Sequence, residues 1–155
     1  MRPISIIIYM GKSELINTAT FINTLYVIAL INRRDQYHVY ALAIANEYEG
    51  RPLITTDAVL MEIGNALARG YKQEAIEVVE QFLASDDIQV VRLTPELFDK
   101  AFALYQSRPD KEWGLTDCIS FIVMQERGIL SALTFDKHFI QAGFQALLRD
   151  QSDRN

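Results

Sequence analysis

The stretch Leu115-Thr116-Asp117-Cys118-Ile119-Ser120-Phe121-Ile122-Val123-Met124-Gln125-Glu126-Arg127 runs into Gly128 and then into Ile129-Leu130-Ser131-Ala132-Leu133-Thr134. Its first part is apolar on several faces, which predicts a helix buried on more than one side. Thr116 is a suitable cap for its start, and Gly128 is the glycine expected just past its end. The second part is a short apolar run of the kind found in strands covered on both faces. A buried helix leading into a buried strand is the repeating unit of parallel α/β sheets. Beyond it, Asp136 to Ala142 reads as a short helix and Phe144 to Leu148 as a last edge strand, followed by polar residues.

The same alternation extends upstream. Ala19-Thr20-Phe21-Ile22-Asn23 reads as a first strand and Leu25 to Asn32 as a helix. Asp35 is placed to cap a second helix through Ala41, Leu42 and Ile44 to Glu49, with Gly50 as its stop. Pro52-Leu53-Ile54-Thr55 is a short strand with proline at its tolerated first position. A helix over 58–69 follows, its stripe made by Val59, Leu60, Ile63, Ala66 and Leu67 at helical spacing. Gln73 to Ala84 is a further amphipathic helix, and Ile88 to Leu93 a strand. Thr94-Pro95-Glu96 then opens a helix to about Ser107, with proline at the first helical position. Together these elements predict an α/β fold: a three-layer α/β/α sandwich around a central, mostly parallel five-stranded sheet. Residues 19–150 form one domain in this reading. Residues 1–18 precede it as an extension without an assigned role, and 151–155 form a polar tail expected to fray.

A chain of 155 residues, half hydrophobic and 23% charged, has the composition of one globular domain. Its 15 basic and 20 acidic residues leave a formal charge of -5. That balance excludes a protein that coats nucleic acid by bulk charge, since phosphate affinity comes mainly from Lys and Arg. It leaves open an enzyme whose acidic residues hold a cation. The single cysteine, Cys118, excludes an intramolecular disulfide framework and a multi-cysteine zinc site, and suits a reducing compartment. The apolar run Ile4 to Met10 spans seven residues, against the roughly 20 of a membrane helix. Gly11-Lys12-Ser13-Glu14 follows it without a small-residue cleavage site, so a cytoplasmic protein is expected.

In open parallel sheets, sites form outside the carboxyl ends of the strands. Asn23 closes the first strand, and Asp136 follows the strand ending at Thr134. Asp117 opens the buried helix, and Glu62 lies one turn into the helix after the strand at 52–55. If the first strand is central, polar groups from four segments converge at one end of the sheet. Asp117 stands out because a carboxylate within an apolar stretch is costly unless it is paired or metal-bound. Asp136 also suits the cap of the short helix that follows it. Asparagine at a strand end is otherwise a common turn residue. His38 reads as structural, Cys118 as a small buried hydrophobe and Trp113 as a loop anchor. His138 lacks an acidic or nucleophilic partner at a telling spacing and is left out of the site. Arg33-Arg34 is short for a nucleic-acid patch, although its position after the first helix puts it near the site mouth. No glycine-rich phosphate loop supports nucleotide binding. A receiver-like phosphoacceptor domain is disfavoured, since no acceptor aspartate falls at a central strand end together with the downstream threonine and lysine.

Five segments carry a resemblance: Phe21-Ile22-Asn23-Thr24, Asp35-Gln36-Tyr37-His38, Met61-Glu62-Ile63-Gly64-Asn65-Ala66-Leu67, Leu115-Thr116-Asp117-Cys118, and Leu133-Thr134-Phe135-Asp136-Lys137-His138-Phe139. In order and spacing, over residues 19–148, the chain resembles the PIN-domain ribonucleases, in particular the VapC-like toxins of bacterial toxin–antitoxin pairs. The resemblance implies RNA cleavage with Mg2+ or Mn2+ held at four acidic positions. Glu62, Asp117 and Asp136 match three of these, and the fourth is Asn23, where the family has aspartate. An amide oxygen can donate to a metal but carries no charge, so it holds a hard cation less well. The resemblance further implies an RNA substrate, a small antitoxin as partner and a homodimer. Metal-assisted hydrolysis would leave a 3′-hydroxyl and a 5′-phosphate. Thr24 and Thr116, beside the site residues, are candidates to position water or phosphate. Asn65, three positions after Glu62, is a candidate to orient it, and Arg69 to bind RNA phosphate. The charge missing at Asn23 supports a second reading, a catalytically silent PIN domain that binds RNA or protein without cleaving.

Overall fold

A computed structural model describes residues 19–152. Five strands, β1 Thr20–Ile22, β2 Leu53–Thr56, β3 Ile88–Val91, β4 Ser131–Leu133 and β5 Gln145–Ala146, form one sheet in the order β3-β2-β1-β4-β5. All four pairings are parallel, so the sheet is more uniform than the mostly parallel one expected. Thr20, Phe21 and Ile22 are all buried. Because successive strand side chains point to opposite faces, β1 is covered on both, as the three-layer arrangement requires.

Between and beyond the strands run α1 Thr24–Ile31, α2 His38–Glu47, α3 Asp57–Ala66, α4 Lys72–Ala84, α5 Pro95–Ser107, α6 Leu115–Glu126, α7 Lys137–Gln141 and α8 Leu147–Ser152. Caps explain several starts. Thr56 Oγ1 accepts from the Val59 amide, Thr94 Oγ1 from Leu97 and Asp136 Oδ1 from His138. The Pro95 start and the Asp136 cap match expectation, and Gly128, at φ 65°, takes the left-handed conformation that ends α6.

Other boundaries differ from the sequence reading. Asp35 does not cap α2. Its Oδ1 accepts from the Tyr37 amide at 2.8 Å, a local turn that delays the helix to His38. Thr116 lies inside α6, whose cap position is Gly114. Helix α3 ends at Ala66, so Arg69 sits in the turn before α4 rather than on the helix. After Ala146 the chain becomes α8 where a strand to Leu148 was expected. The buried Leu148 packs from that helix, and its amide donates to Thr134 O at 3.1 Å. The extension at 1–18, with its Ile4 to Met10 run, and residues 153–155 of the tail lie outside the described residues. Among the described residues, no helix is long and apolar enough to cross a membrane.

The core gathers around Phe21, Phe121 and Phe139, all fully buried. Phe121 makes T-shaped contacts with Trp113 and Phe139, each at 5.0 Å between ring centroids. Trp113 is the loop anchor expected: it is buried, and its Nε1–H donates to Gln141 Oε1 at 3.0 Å. Cys118 is buried as expected, and burial pushes its thiol up to about 11.

Candidate active site

The strand order reverses at β1, which pairs with β2 on one side and β4 on the other. Such a switch point opens a crevice at the carboxyl ends of the strands. Asn23 is the residue after β1 and occupies the cap position of α1. Its side chain is buried, and Nδ2 donates to Thr134 Oγ1 at 2.8 Å. The same hydroxyl accepts from the Asp136 amide at 3.0 Å. Thr134, just past β4, thereby ties the end of β1 to the loop that carries Asp136. On the other side, Thr55 Oγ1 donates to Ile22 O at 2.9 Å and holds the end of β1 to β2.

Glu62 reaches this crevice from the second turn of α3. The buried Thr24, first residue of α1, donates its hydroxyl to Glu62 Oε1 at 2.7 Å. Burial raises the Glu62 carboxyl above its ordinary value, the Thr24 hydrogen bond opposes this, and the charges of Asp117 and Asp136 add to the rise. That electrical coupling joins three carboxylates from three separate elements. Asp117 lies in the first turn of α6, where Oδ2 accepts from the Gly114 amide at 3.1 Å. Burial is also the main cause of its raised pKa. The Gly114 bond and His138 lower it, and the Asp136 charge raises it.

His138 completes the cluster. Its Nδ1 stands 3.1 Å from Asp117 Oδ2 and 3.5 Å from Asp136 Oδ1. Ligand atoms of Asp117, Asp136 and His138 all lie within 4.8 Å of one another. Leaving His138 out of the site on sequence grounds therefore requires correction. One signal was local, since a capping aspartate bonds the amide two residues on and so fixes where that residue starts. The other partner, Asp117, is 21 residues upstream, a proximity that only the packing of α6 against α7 creates. Thr134 was likewise missed as a tie between segments.

The four positions Asn23, Glu62, Asp117 and Asp136 thus meet at one end of the sheet, with Thr24 bonded to Glu62. Thr116 lies half-buried beside Asp117, and its carbonyl accepts from Ser120 Oγ at 2.9 Å. Asn65 is exposed, and among the described residues no hydrogen bond joins it to Glu62. Orientation of Glu62 passes to Thr24 instead, because α1 starts beside α3 in space. Arg69 is exposed on its turn. His38 is structural as expected, with Nδ1 2.7 Å from Ala29 O. The exposed Arg33 and Arg34 lie on a segment that reaches the site, since Tyr37 stacks on Phe135 with centroids 3.8 Å apart, directly before Asp136.

Chemically, Asp117, Asp136 and His138 stand close enough to share a cation, and the Glu62 carboxyl is electrically coupled to both aspartates. Two of these carboxyls are pressed toward protonation by burial and by their neighbours, a cost that a bound cation would relieve.

Comparison with known proteins adds a second line of observation. Residues 20–145 match the family described as PIN domain. The 23S rRNA-specific endonuclease VapC20 of Mycobacterium tuberculosis is 29% identical over 126 residues, covering 80% of this chain and 94% of that protein. A VapC ribonuclease of Aquifex aeolicus is 28% identical over 102 residues, 64% of this chain and 72% of that protein. Among solved structures, that of M. tuberculosis VapC20, a sarcin-ricin loop cleaving toxin, superposes with a TM-score of 0.73 at 28% identity. It covers 81% of this chain and 95% of its own.

Proposed function

The chain belongs to the PIN-domain family, and from that premise we propose that it is a metal-dependent endoribonuclease of the VapC type. The observation that carries the reading is the convergence of Glu62, Asp117 and Asp136, electrically coupled, on the switch point of the sheet. In this reading the three carboxylates and the Asn23 amide oxygen hold Mg2+ or Mn2+. Bound there, a divalent cation supplies Lewis-acid activation of water and neutralises charge on the scissile phosphate.

The protein's own groups do the positioning. Thr24 holds one oxygen of Glu62. Gly114 and the start of α6 set Asp117, and the start of α7 sets Asp136. Thr116 is proposed to steer water or phosphate, and Arg69, Arg33 and Arg34 to meet the RNA backbone. Cleavage would yield a 3′-hydroxyl and a 5′-phosphate. By similarity to the relatives, structured ribosomal RNA is the proposed substrate class. A small antitoxin filling the crevice, a homodimeric assembly and a cytoplasmic location complete the proposal.

A second reading rests on one observation. Asn23 is neutral, and its Nδ2 already has a partner in Thr134, so the side chain is held in place without a metal. A silent PIN domain that binds RNA or protein would look the same. Cleavage of a panel of structured RNAs in Mg2+ or Mn2+ separates the two. Activity in the protein and in Asn23→Asp, abolished by Asp117→Asn, is the expected result. Activity only in Asn23→Asp assigns the chain to the silent class. Inactivity of both, under conditions where a related toxin cleaves, overturns the nuclease reading.

A further inference from the structure

We propose that His138 is itself a metal ligand of this site, an imidazole donor in a set that lacks a carboxylate at Asn23, and that the site therefore favours Mn2+ over Mg2+. The inference rests on the reading of the crevice as a divalent-cation site and deepens it.

The geometry is that of adjacent ligands. Octahedral ions take donors at about 2.1 Å, which puts neighbouring donor atoms about 3.0 Å apart. His138 Nδ1 stands 3.1 Å from Asp117 Oδ2 and 3.5 Å from Asp136 Oδ1, close to that separation on both sides. The imidazole is held in place rather than free to wander. The His138 amide donates to Asp136 Oδ1 at 2.9 Å, and the next residue, Phe139, is fully buried against Phe21 and Phe121. Both donors flanking His138 sit at helix starts, positions that backbone bonds fix.

Without a cation, the short contact between Nδ1 and Asp117 Oδ2 needs one proton between the two atoms. As a ligand, Nδ1 presents its lone pair and the ring proton sits on Nε2. Oxygen donors suit both ions, but Mn2+ accepts an imidazole more readily than Mg2+, which prefers oxygen and keeps its waters. Replacing one carboxylate of an all-oxygen set by an amide and adding an imidazole thus moves selectivity toward Mn2+. The competing arrangement keeps His138 outside the ligand set, bonded only to Asp117.

Pulsed electron paramagnetic resonance of the full-length protein with substoichiometric Mn2+ tells these arrangements apart. The chain has two histidines, and the other, His38, is engaged with Ala29 O. A coupling from directly coordinated 14N, present in the protein and lost in His138→Gln, is the expected result. In parallel calorimetric titrations, His138→Gln should lose about tenfold or more in Mn2+ affinity and less than about threefold in Mg2+ affinity. Bound Mn2+ without a nitrogen coupling, or with one that survives in His138→Gln, overturns the assignment of His138 and leaves the carboxylate site standing. Absence of Mn2+ binding overturns the cation site as well.

Discussion

At the scale of single residues, the crevice holds carboxyls whose surroundings work against their charged form. Burial, reinforced by neighbouring charge, raises the Glu62 and Asp117 carboxyls above their ordinary values. A carboxyl with a raised folded pKa binds more proton in the native state than in the unfolded one, so stability falls as pH rises from the ordinary carboxylate range through the raised value. The cation-free protein is therefore expected to be more stable in mildly acidic than in neutral solution, as far as these two groups decide. Asp117→Asn, which keeps an acceptor for Gly114 and removes the charge, should raise the melting temperature in chelator at neutral pH. It should also lose most of the stabilisation by cation, which for one site reaches about 2.7 kcal/mol at a hundredfold excess over Kd. A lower melting temperature for Asp117→Asn in chelator would mean that the ionised carboxylate is net stabilising, and would sink this account. Asp117 was legible in the sequence because a charge inside an apolar run must have a reason. His138 was not, because its nearer partner, Asp117, lies 21 residues upstream on a different helix.

At the scale of elements, helix starts do most of the aiming. Thr56 ends β2 and caps α3 with no loop between them, and its side chain is fully buried. The direction in which α3 leaves the sheet, and so the reach of Glu62, depends on that hydroxyl. Thr56→Ala should cost about 1–2 kcal/mol in urea denaturation and weaken cation binding, while Thr56→Ser restores most of both. An unchanged midpoint for Thr56→Ala would show that packing alone holds the start of α3. Caps were read from the sequence with mixed success for a physical reason. Thr94-Pro95 carries two concordant signals and was right, whereas Asp35 and Thr116 each had a competing local bond or an earlier start available. The last strand failed for a similar reason. Phe144, Ala146 and Leu148 alternate as a strand would, yet pairing with β4 lasts two residues and the chain then turns helical.

For the molecule as a whole, one aromatic cluster links the parts that hold the site. Phe121 on α6 makes T-shaped contacts with Trp113, which anchors the loop before Asp117, and with Phe139, which follows His138. Phe121→Ala should cost about 3–5 kcal/mol and loosen both carriers of the site at once, so cation affinity should fall together with stability. Calorimetry at a temperature where the variant is still folded checks the second effect. Undiminished affinity there would show that the site does not depend on this cluster. Local sequence carries the alternation of strands and helices, and it singles out Asn23, Glu62, Asp117 and Asp136 as polar groups at strand ends and helix starts. Apolar periodicity and stop residues are local, and every parallel strand presents its carboxyl end to the same side. Long-range packing makes β1 central and all pairings parallel, brings Thr24 rather than Asn65 to Glu62, and sets His138 near both Asp117 and Asp136. Those facts follow from strand order and helix packing. They join residues far apart in the chain, and no local spacing encodes them.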